Sequence, residues 1–272
     1  MNALITGAQG FIGKAFMNEM YLRDDSVNVT MVDDMPILWK RDSFLRFLEK
    51  AEPNVVFHIG ACSDTQNYDL DFVCKRNIEA TFIISDFCKT HNVPLIYSSS
   101  ASCYGNNGIP ETLYAWSKYV GEKYVTSNGG IALRYFNVYG YDESHKGKMA
   151  SFIYQAFQKG GGTKIFPSDV KQPKRDFVYV KDVTSANFYA FENYEFLYGG
   201  VYDVGTGQAV SYEMILQKLN IPISYTSVEE IPQNYQYHTC ANAINFMPGW
   251  RPNWPIDKGI EDYILKLKAT RK

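Results

Sequence analysis

A glycine-rich turn between a short apolar run and a helix-like stretch constrains this chain more than any other feature. The apolar residues 2–6 favour a buried strand, and the turn after them reads Gly7-Ala8-Gln9-Gly10-Phe11-Ile12-Gly13. The first glycine permits a tight turn, the second lets the backbone approach a pyrophosphate, and the third lets the helix pack closely on the strand. The turn predicts a dinucleotide site. The residues expected at the cofactor are Gly7, Gln9, Gly10, Phe11, Ile12 and Gly13.

Short apolar runs alternate with amphipathic stretches through the first half of the chain. The predicted strands are residues 2–6, 28–32, 54–59, 93–98 and 131–136, and the predicted helices lie near 11–22, 41–51, 77–90 and 112–127. The strands lack a polar residue at every second position, which is typical of strands buried on both faces. This alternation predicts an α/β fold with a Rossmann-type doubly wound parallel sheet.

The regular alternation of strand-like and helix-like segments ends after Gly140. A helix near 149–159 is followed by three consecutive glycines, and residues 208–255 hold short elements among five prolines. A strand at 176–180 and a helix at 182–193 are expected to return to the sheet. The predicted domains are a Rossmann domain of residues 1–140 and 176–205, a small loop-rich substrate lobe of residues 141–175 and 206–256, and a C-terminal helix over 257–272.

Composition excludes several classes of partner. The net charge of this 272-residue chain is -2, which gives no electrostatic basis for binding nucleic acid or an anionic membrane. The apolar runs fall short of the ~20 residues that span a membrane, and no signal peptide precedes the first strand. The five cysteines are widely spaced, and the four histidines do not pair at metal-ligand spacing. We therefore expect a cytoplasmic protein with reduced thiols and no metal.

Acidic residues after the second predicted strand bear on which dinucleotide is bound. Asp33 and Asp34 stand about 20 residues beyond the glycine turn, where a carboxylate accepts hydrogen bonds from the adenosine ribose and favours NAD. Lys40 and Arg41 follow soon after and could instead hold the 2′-phosphate of NADP, so both cofactors stay open. The segment Ile59-Gly60-Ala61 closes the third strand, and its small residues would let the dinucleotide cross the edge of the sheet.

A tyrosine and a lysine one helical turn apart indicate proton transfer. Tyr114 and Lys118 lie on the same face of the helix predicted over 112–127. A phenol titrates near pH ~10, and a nearby cation lowers that pKa, so that the tyrosine can exchange protons with a sugar hydroxyl. Lys118 can also reach the nicotinamide ribose. Ser100 ends the fourth predicted strand, where open α/β sheets place their ligands, and can hydrogen-bond the reacting oxygen.

The order of these motifs resembles the extended short-chain dehydrogenase/reductase family of nucleotide-sugar epimerases and dehydratases. The shared segments are the T-G-x-x-G-F-I-G start, the S-S-x-x-x-Y-G strand end, Y-x-x-x-K, and Arg134-Tyr135-Phe136-Asn137-Val138-Tyr139-Gly140. The resemblance implies that Ser100, Tyr114 and Lys118 are catalytic. It also implies that Asn77 lies at the cofactor, in a helix lining the active site, and that Asn137 contacts a nucleotide-sugar substrate.

The segment between Ser100 and Tyr104 narrows the chemistry that the resemblance implies. Dehydratases of the family carry an Asp-Glu pair there and the related decarboxylases carry a glutamate, whereas this chain has Ala101-Ser102-Cys103. Elimination would lack its acid and base without a carboxylate. Epimerisation or simple reduction is therefore favoured.

Three further segments are similar to the ADP-glycero-manno-heptose 6-epimerases of this family. They are Cys62-Ser63-Asp64-Thr65, the run H-K-G-K-M-A-S that begins at His145, and the run K-R-D-F-V-Y-V that begins at Lys174. The similarity implies that Lys146 is a second catalytic base. The residues that it implies at the substrate are Ser63, Asp64, Ser100, Asn137, His145, Lys146, Arg175 and Tyr235. Two departures are Asn234, which stands where those enzymes have an arginine, and a shorter stretch between the second and third strands.

The reaction that this similarity implies uses one tightly bound NADP or NAD per subunit. Hydride would leave C6 of the heptose and return to the other face of the resulting ketone, while groups on both faces move a proton. One alternative is a nucleotide-sugar 4-epimerase or keto-sugar reductase. Another, from a different class, is a non-catalytic NAD(P)-binding sensor, although such proteins usually lose the tyrosine or lysine kept here. The family also implies a homo-oligomer, a dimer or larger, paired through the helix of Tyr114 and the one before it.

Overall fold

Parallel pairing of short apolar strands builds the main sheet, as seen in a computed structural model that describes residues 1–33, 40–167, 173–227 and 236–269. The strands among these residues are β1 (Asn2–Thr6), β2 (Asn28–Val32), β3 (Val55–His58), β4 (Leu95–Ser100), β5 (Ile131–Tyr135), β6 (Asn137–Tyr139), β7 (Lys164–Ile165), β8 (Lys174–Tyr179), β9 (Val201–Val204), β10 (Ala209–Ser211), β11 (Ser224–Tyr225) and β12 (His238–Thr239). The order in the main sheet is β2-β1-β3-β4-β5-β9. Parallel pairs join β1 to β2 and to β3, and β3 to β4.

Helices follow most of these strands. They are α1 (Phe11–Arg23), α2 (Arg41–Ala51), α3 (Leu70–Val73), α4 (Ala80–His91), α5 (Leu113–Ser127), α6 (Phe152–Lys159), α7 (Val180–Glu192), α8 (Tyr194–Leu197), α9 (Tyr212–Lys218) and α10 (Ile256–Ala269). Shorter turns include a wide π-type turn at Cys74–Glu79 and 3₁₀ turns at Ala101–Tyr104, Ser144–Met149, Gly160–Gly162 and Ala243–Asn245. Within the described ranges, no helix combines the length and apolar character needed to cross a bilayer.

Helices cover both faces of the main sheet, which explains why its central strands β1 and β3 carry buried residues on both faces. Val56 of β3 belongs to a buried cluster with Phe44 of α2 and Ile84 of α4. The next residue, Phe57, points to the other face, where its ring centroid lies 4.5 Å from that of Phe16 of α1. The doubly wound parallel sheet predicted from the sequence is therefore confirmed.

The direction of strand order reverses beside β1. The neighbour β2 lies on one side of β1, and β3 and β4 lie on the other. Such a switch point opens a crevice at the carboxyl ends of the strands, where ligands bind in open α/β sheets. Because β1 ends at Thr6 and β3 ends at His58, the glycine turn and the segment 59–61 both lie at this crevice.

The chain divides into two compact units. The first comprises Met1–Arg134, Thr184–Tyr202 and Met247–Trp250, and the second comprises Tyr135–Val183, Asp203–Phe246 and Arg251–Lys272. The first unit holds β1 to β4 together with α1, α2, α4 and α5. The domain boundaries expected from the sequence remain a prediction.

Short strands around β8 organise the second unit. β10 pairs with β8 in antiparallel fashion, whereas β12 and β6 pair with it in parallel. A separate parallel pair joins β11 to β7. Ala156 of α6, Ile165 of β7 and Leu216 of α9 form a small buried cluster. The strand that the sequence predicts at 176–180 thus belongs to this group of short strands and not to the main sheet. The small loop-rich substrate lobe remains a prediction.

Candidate active site

The glycine turn after β1 brings three stretches of backbone together in the first unit. Gly7 has a φ of +66°, a left-handed conformation that suits glycine. A Cβ atom on Gly7 would lie 2.5 Å from the Cα of Gly60, and one on Gly13 would lie 2.0 Å from the carbonyl oxygen of Gly7. Positions 7, 13 and 60 therefore require glycine, because the turn, α1 and the end of β3 pack closely there. A Cβ on Gly10 would come no closer than 3.1 Å to the same carbonyl.

A cavity of about 200 Å³ opens beside this turn. Its walls include five residues predicted at the cofactor, which are Gly7, Gly10, Asp33, Gly60 and Ala61. The backbone N–H of Gln9 donates to one carboxylate oxygen of Asp33 at 3.0 Å, so the turn itself orients this carboxylate. Arg76 adds a guanidinium to the wall, and its Cζ lies 4.3 Å from the centroid of the Phe72 ring. The sequence did not point to Arg76.

The two basic residues that could hold a 2′-phosphate, Lys40 and Arg41, differ in their surroundings. Lys40 is exposed and immediately precedes α2. Arg41 forms an ion pair with Asp86 of α4, at 3.3 Å between Nη2 and Oδ2. Asp34 lies outside the described residues. The apolar candidates around the turn are buried or half-buried: Phe11, Ile12 and Ile59.

A buried ion pair holds the end of β4. Glu122 of α5 is fully buried, and its two carboxylate oxygens accept hydrogen bonds from Nε and Nη2 of Arg134 at 2.8 and 2.6 Å. The hydroxyl of Ser99 donates to the same carboxylate at 2.8 Å. Bidentate, charge-assisted bonds of this kind fix geometry strongly. The pair thereby places Ser100, the next residue, at the carboxyl edge of the sheet.

Tyr114 and Lys118 stand in the first two turns of α5. Thr112 caps this helix, because its Oγ1 accepts a hydrogen bond from the backbone N–H three residues on. Burial raises the pKa of Tyr114 to about 12, and a hydrogen bond from Ser100 opposes that rise. Burial lowers the pKa of Lys118 to about 8, and its Nζ lies 4.4 Å from the centroid of the Tyr97 ring. The first unit thus brings Ser100 to Tyr114, with a buried amine one turn along.

Asn77 joins the loop after β3 to the helix that carries Tyr114. Its Oδ1 accepts from the backbone N–H of Cys62 at 2.7 Å, and its Nδ2 donates to the carbonyl of Cys62 at 3.0 Å and to Ser117 at 2.9 Å. Ser117 in turn donates to the carbonyl of Tyr114 at 2.7 Å. These bonds give Asn77 a positioning role, and a direct contact with a cofactor stays a prediction.

The loop after β3 also carries two substrate candidates. Ser63 is exposed. One carboxylate oxygen of Asp64 accepts the backbone N–H of Gln66 at 2.9 Å, which shapes a tight turn. Both roles toward a substrate remain predictions.

Two substrate candidates of the second unit lie on neighbouring strands. The Nδ2 of Asn137 in β6 donates to the carbonyl of Asp176 at 3.3 Å and to the hydroxyl of Thr239 at 3.4 Å. Arg175 of β8 is 9% exposed, and its guanidinium donates to the carbonyl oxygen of Gln236. The short sheet around β8 therefore orients both side chains.

The turn Ser144–Met149 in the second unit carries His145 and Lys146. His145 is exposed and Lys146 is half-buried. Burial lowers the pKa of Lys146, while the nearby carboxylate of Glu143 acts to raise it. Tyr235, the last substrate candidate, lies outside the described residues.

Three buried polar residues that the sequence did not predict organise these sites: His58, Glu143 and Asp176. The carboxylate of Asp176 accepts hydrogen bonds from the N–H and hydroxyl of Thr206 and from the N–H groups of Gly207 and Ala241. Asp176 lies in β8 directly before the apolar run F-V-Y-V. A carboxylate buried at such a position must find hydrogen-bond partners. A charged residue at such a position is the signal that could have revealed it.

Comparison with known proteins agrees with this geometry. The NAD dependent epimerase/dehydratase family matches residues 3–205. The ADP-L-glycero-D-manno-heptose-6-epimerase of Brachyspira hyodysenteriae is 32% identical in an alignment covering 98% of this chain and 98% of that protein. The resemblance inferred from the motifs is thereby confirmed.

Solved structures share the fold over nearly their whole length. The ADP-L-glycero-D-manno-heptose-6-epimerase of Helicobacter pylori superposes with a TM-score of 0.84 at 28% identity, covering 98% of this chain and 96% of that one. The UDP-glucose 4-epimerase of Thermus thermophilus, solved with NAD, gives a TM-score of 0.79 at 21% identity, covering 98% and 99%. The latter likeness concerns the fold alone.

Proposed function

This chain belongs to the NAD-dependent epimerase/dehydratase family, and we propose that it is a nucleotide-sugar epimerase acting at C6 of ADP-glycero-manno-heptose through a resident NAD. The observation that carries the proposal is the hydrogen bond between Ser100 and Tyr114 at the carboxyl end of β4, with Lys118 one helical turn along. Such a set exchanges a proton with a sugar hydroxyl. The adjoining Ala101-Ser102-Cys103 supplies no carboxylate for elimination. The choice of sugar rests on the two heptose epimerases that resemble the chain along nearly its whole length.

The residues at the switch point fit a dinucleotide. Gly7 and Gly10 present bare backbone to the cavity, and α1 begins directly after them. A helix N-terminus and backbone N–H groups favour a pyrophosphate. We assign the glycine turn to the pyrophosphate and the Ile59–Ala61 segment to the crossing of the sheet edge.

NAD is proposed over NADP. Asp33 lines the cavity with a carboxylate held by Gln9, and it is placed for the ribose hydroxyls. The negative charge of Asp33 would repel a 2′-phosphate. Of the two basic residues that could offset this charge, Arg41 is paired with Asp86 and Lys40 is exposed.

The proton chemistry belongs to Ser100, Tyr114 and Lys118. Bound NAD supplies a hydride acceptor for the sugar alcohol and afterwards a hydride donor for the ketone. With its pKa raised to about 12, Tyr114 needs positive charge nearby to act as a base at neutral pH. Lys118, with a pKa of about 8, is mostly ammonium at pH ~7 and supplies that charge. Ser100 acts to lower the pKa of the tyrosine, and its one proton would turn to the oxygen of the reacting hydroxyl when substrate is bound.

Lys146 is assigned to the second proton transfer, on the other face of the ketone. Burial lowers its pKa and so favours the neutral amine that accepts a proton. Arg175 suits a diphosphate because a guanidinium bonds phosphate oxygens in bidentate fashion. The other residues proposed at the substrate are Ser63, Asp64, Asn137, His145 and Tyr235.

Aromatic residues on α4 and α5 support a homo-oligomer. Trp116 is 46% exposed and contacts Tyr119 edge-on, with ring centroids 5.9 Å apart. Phe82 of α4 stacks on Tyr124 of α5 at 3.8 Å. Exposed aromatic surface is typical of protein interfaces, so the chains are proposed to pair through these helices. The five cysteines are free thiols in the structure, which supports a cytoplasmic location.

The test of the function uses protein purified without added nucleotide. Incubation with either C6 epimer of ADP-glycero-manno-heptose is expected to give the same mixture of both epimers, with no net reduction of the bound cofactor. The products are measured by chromatography and NMR. Tyr114→Phe is expected to retain the cofactor and lose activity by about 10²–10⁴-fold, because its general base is gone.

Other outcomes would replace the proposal. Stoichiometric consumption of reduced cofactor would identify a keto-sugar reductase, and interconversion at C4 of another nucleotide sugar would identify a 4-epimerase. A protein that retains its cofactor but turns over no nucleotide sugar would be a sensor.

A further inference from the structure

Ser102 makes two hydrogen bonds to Ser100. Its backbone N–H donates to the Oγ of Ser100 at 3.2 Å, and its own hydroxyl donates to the same oxygen at 2.9 Å. Ser102 is half-buried in the 3₁₀ turn Ala101–Tyr104, which directly follows β4. The residue therefore sits behind Ser100, at the carboxyl edge of the main sheet.

A serine hydroxyl has two lone pairs and one proton. Because Ser102 fills both lone pairs of Ser100, the remaining capacity of Ser100 is its single proton. Ser100 acts to lower the pKa of Tyr114, which is the effect of a donor beside the phenol oxygen. A hydroxyl that accepts bonds also becomes a stronger donor, since chains of hydrogen bonds polarise one another.

The turn that carries Ser102 is fixed on both sides. Ahead of it, Ser99 is bonded to the buried pair of Glu122 and Arg134. Behind it, Gly105 has a φ of +51°, and a Cβ there would lie 1.6 Å from the carbonyl oxygen of Ile109. The hydroxyl of Ser102 is thus held against Ser100 by a backbone that has little room to move.

We propose that Ser102 is a positioning residue, whose hydroxyl commits Ser100 to donating its single proton, to Tyr114 in the absence of substrate and to the reacting oxygen when substrate is bound. The backbone bond from residue 102 survives substitution by alanine or threonine, so the effect of the side-chain hydroxyl can be measured separately. This inference rests on the proposed function for the role of Ser100 in turnover. The orientation of Ser100 toward Tyr114 can be measured without a substrate.

The first arm of the test is NMR of cofactor-loaded protein labelled with ¹³C at Cζ of tyrosine. The Tyr114 resonance is identified by its loss in Tyr114→Phe. Ser102→Ala is expected to move this resonance in the same direction as Ser100→Ala, and Ser102→Thr, which keeps the hydroxyl, is expected to restore it. An unchanged Tyr114 resonance in Ser102→Ala would overturn the proposal whatever the substrate proves to be.

The second arm is kinetic and uses a double-mutant cycle. Ser102→Ala is expected to lower kcat about fivefold to tenfold, the kinetic equivalent of one hydrogen bond, with KM and cofactor content unchanged. On a Ser100→Ala background the same change is expected to have no further effect, because Ser102 acts through Ser100. A further loss on that background, or no recovery in Ser102→Thr, would overturn the proposal.

A matched control separates this effect from general loss of a serine. Ser127 is exposed at the end of α5 and donates only within its own helix, to the carbonyl of Tyr124 at 2.8 Å. Ser127→Ala is expected to leave kcat and the Tyr114 resonance as they are. If the wild type lacks epimerase activity while the NMR arm succeeds, the proposed function fails and the orientation of Ser100 by Ser102 stands.

Discussion

One buried histidine links the cofactor turn to the elements around Tyr114 through a directional chain of hydrogen bonds. The backbone N–H of Gly60 donates to the hydroxyl of Thr6 at 2.9 Å, and that hydroxyl lies 2.7 Å from Nδ1 of His58. On the other side, Nε2 of His58 lies 2.8 Å from the hydroxyl of Thr81, which donates to the carbonyl of Asn77 at 2.7 Å. Since Thr81 spends its proton on Asn77, His58 donates from Nε2. Burial keeps the ring neutral, so Nδ1 is left to accept from the hydroxyl of Thr6.

The neutral state of His58 predicts a loss of stability in acid. Burial lowers the pKa of His58 from 6.5 to about 3, and the charge of Lys118 acts in the same direction. Between these two values the unfolded chain binds a proton that the folded protein does not, so the free energy of unfolding falls as pH falls. The expected slope approaches roughly 1 kcal/mol for each pH unit once the pH is well below 6.5. Urea unfolding between pH ~7.5 and ~4.5 measures it.

The variant His58→Gln separates this contribution from that of every other titrating group. Glutamine can accept from Thr6 and donate to Thr81 without binding a proton. Its unfolding free energy is expected to lie below that of the wild type at neutral pH and to change less steeply toward acid. Parallel pH dependences for the two proteins would contradict a neutral buried His58.

At the scale of elements, one carboxylate ties the Lys146 turn to the C-terminal helix within the second unit. Glu143 is 1% exposed, and its carboxylate accepts hydrogen bonds from the hydroxyl of Ser151 at 2.7 Å and from that of Tyr263 in α10 at 2.8 Å. The backbone N–H of Gly140 donates to it at 3.3 Å. Because Glu143 and Ser151 flank the turn, the carboxylate closes the turn and anchors it to α10.

Tyr263→Phe is expected to weaken this anchor measurably. The change removes one bond to a buried carboxylate and leaves the charge underpaired, which costs about 1.5–3 kcal/mol. Tyr225→Phe is the matched control, because Tyr225 donates to Glu213 at 2.7 Å but is 43% exposed. Exposed bonds of this kind contribute little. Urea unfolding monitored by circular dichroism compares the two variants, and equal losses would argue against an anchoring role for Glu143.

Some strands and helices can be predicted from the sequence pattern more closely than others. The strands β1, β2, β3 and β5 lie within one residue of their predicted ends, because apolar runs bounded by turn residues need only local information. The helix predicted over 77–90 instead begins at Ala80, after the wide turn Cys74–Glu79. That turn surrounds Asn77, whose amide is bonded to Cys62 and Ser117, residues distant in sequence. No local periodicity records such bonds.

The shift of β4 has a related cause. The apolar pattern placed this strand at 93–98, whereas it runs from Leu95 to Ser100. Pro94 cannot donate to a strand ladder, and the three serines that end the strand look like a loop. Ser99 belongs in the strand because its hydroxyl donates to Glu122, which is itself paired with Arg134. Hydrogen bonds between residues distant in sequence, like this one, determine the parts of the site that the motifs did not reveal.

At the scale of the whole molecule, the predictable part of the site is the part carried by contiguous motifs. The glycine turn, the Ser100 strand end and the Tyr114 helix each combine a short motif with a recognisable element. The second unit is assembled differently, because β8 collects β6, β10 and β12 from residues spread over a hundred positions. Its organising residue, Asp176, bonds to Thr206 and Ala241. Non-local pairing of two- and three-residue strands leaves almost no local trace.

The stability of the folded chain should depend on which dinucleotide it holds. A ligand that binds only the folded state stabilises it by RT ln(1 + [L]/Kd), about 4 kcal/mol when the free ligand exceeds Kd by about 1,000-fold. Protein stripped of its cofactor is therefore expected to unfold at lower temperature. NAD is expected to restore more of that loss than NADP at equal concentration if, as proposed, the carboxylate of Asp33 meets the adenosine ribose and repels a 2′-phosphate.

Asp33→Asn is the variant that ties this preference to one charge. An asparagine at this position keeps an oxygen for the N–H of Gln9, which donates to Asp33 at 3.0 Å, and removes only the negative charge. The difference between the melting temperatures with NAD and with NADP is expected to narrow in the variant, because repulsion of the 2′-phosphate is relieved. Equal stabilisation of the wild type by both dinucleotides would contradict the preference for NAD itself. An unchanged difference in the variant would remove Asp33 from the choice of cofactor and leave Asp34, Lys40 and Arg41 to account for it.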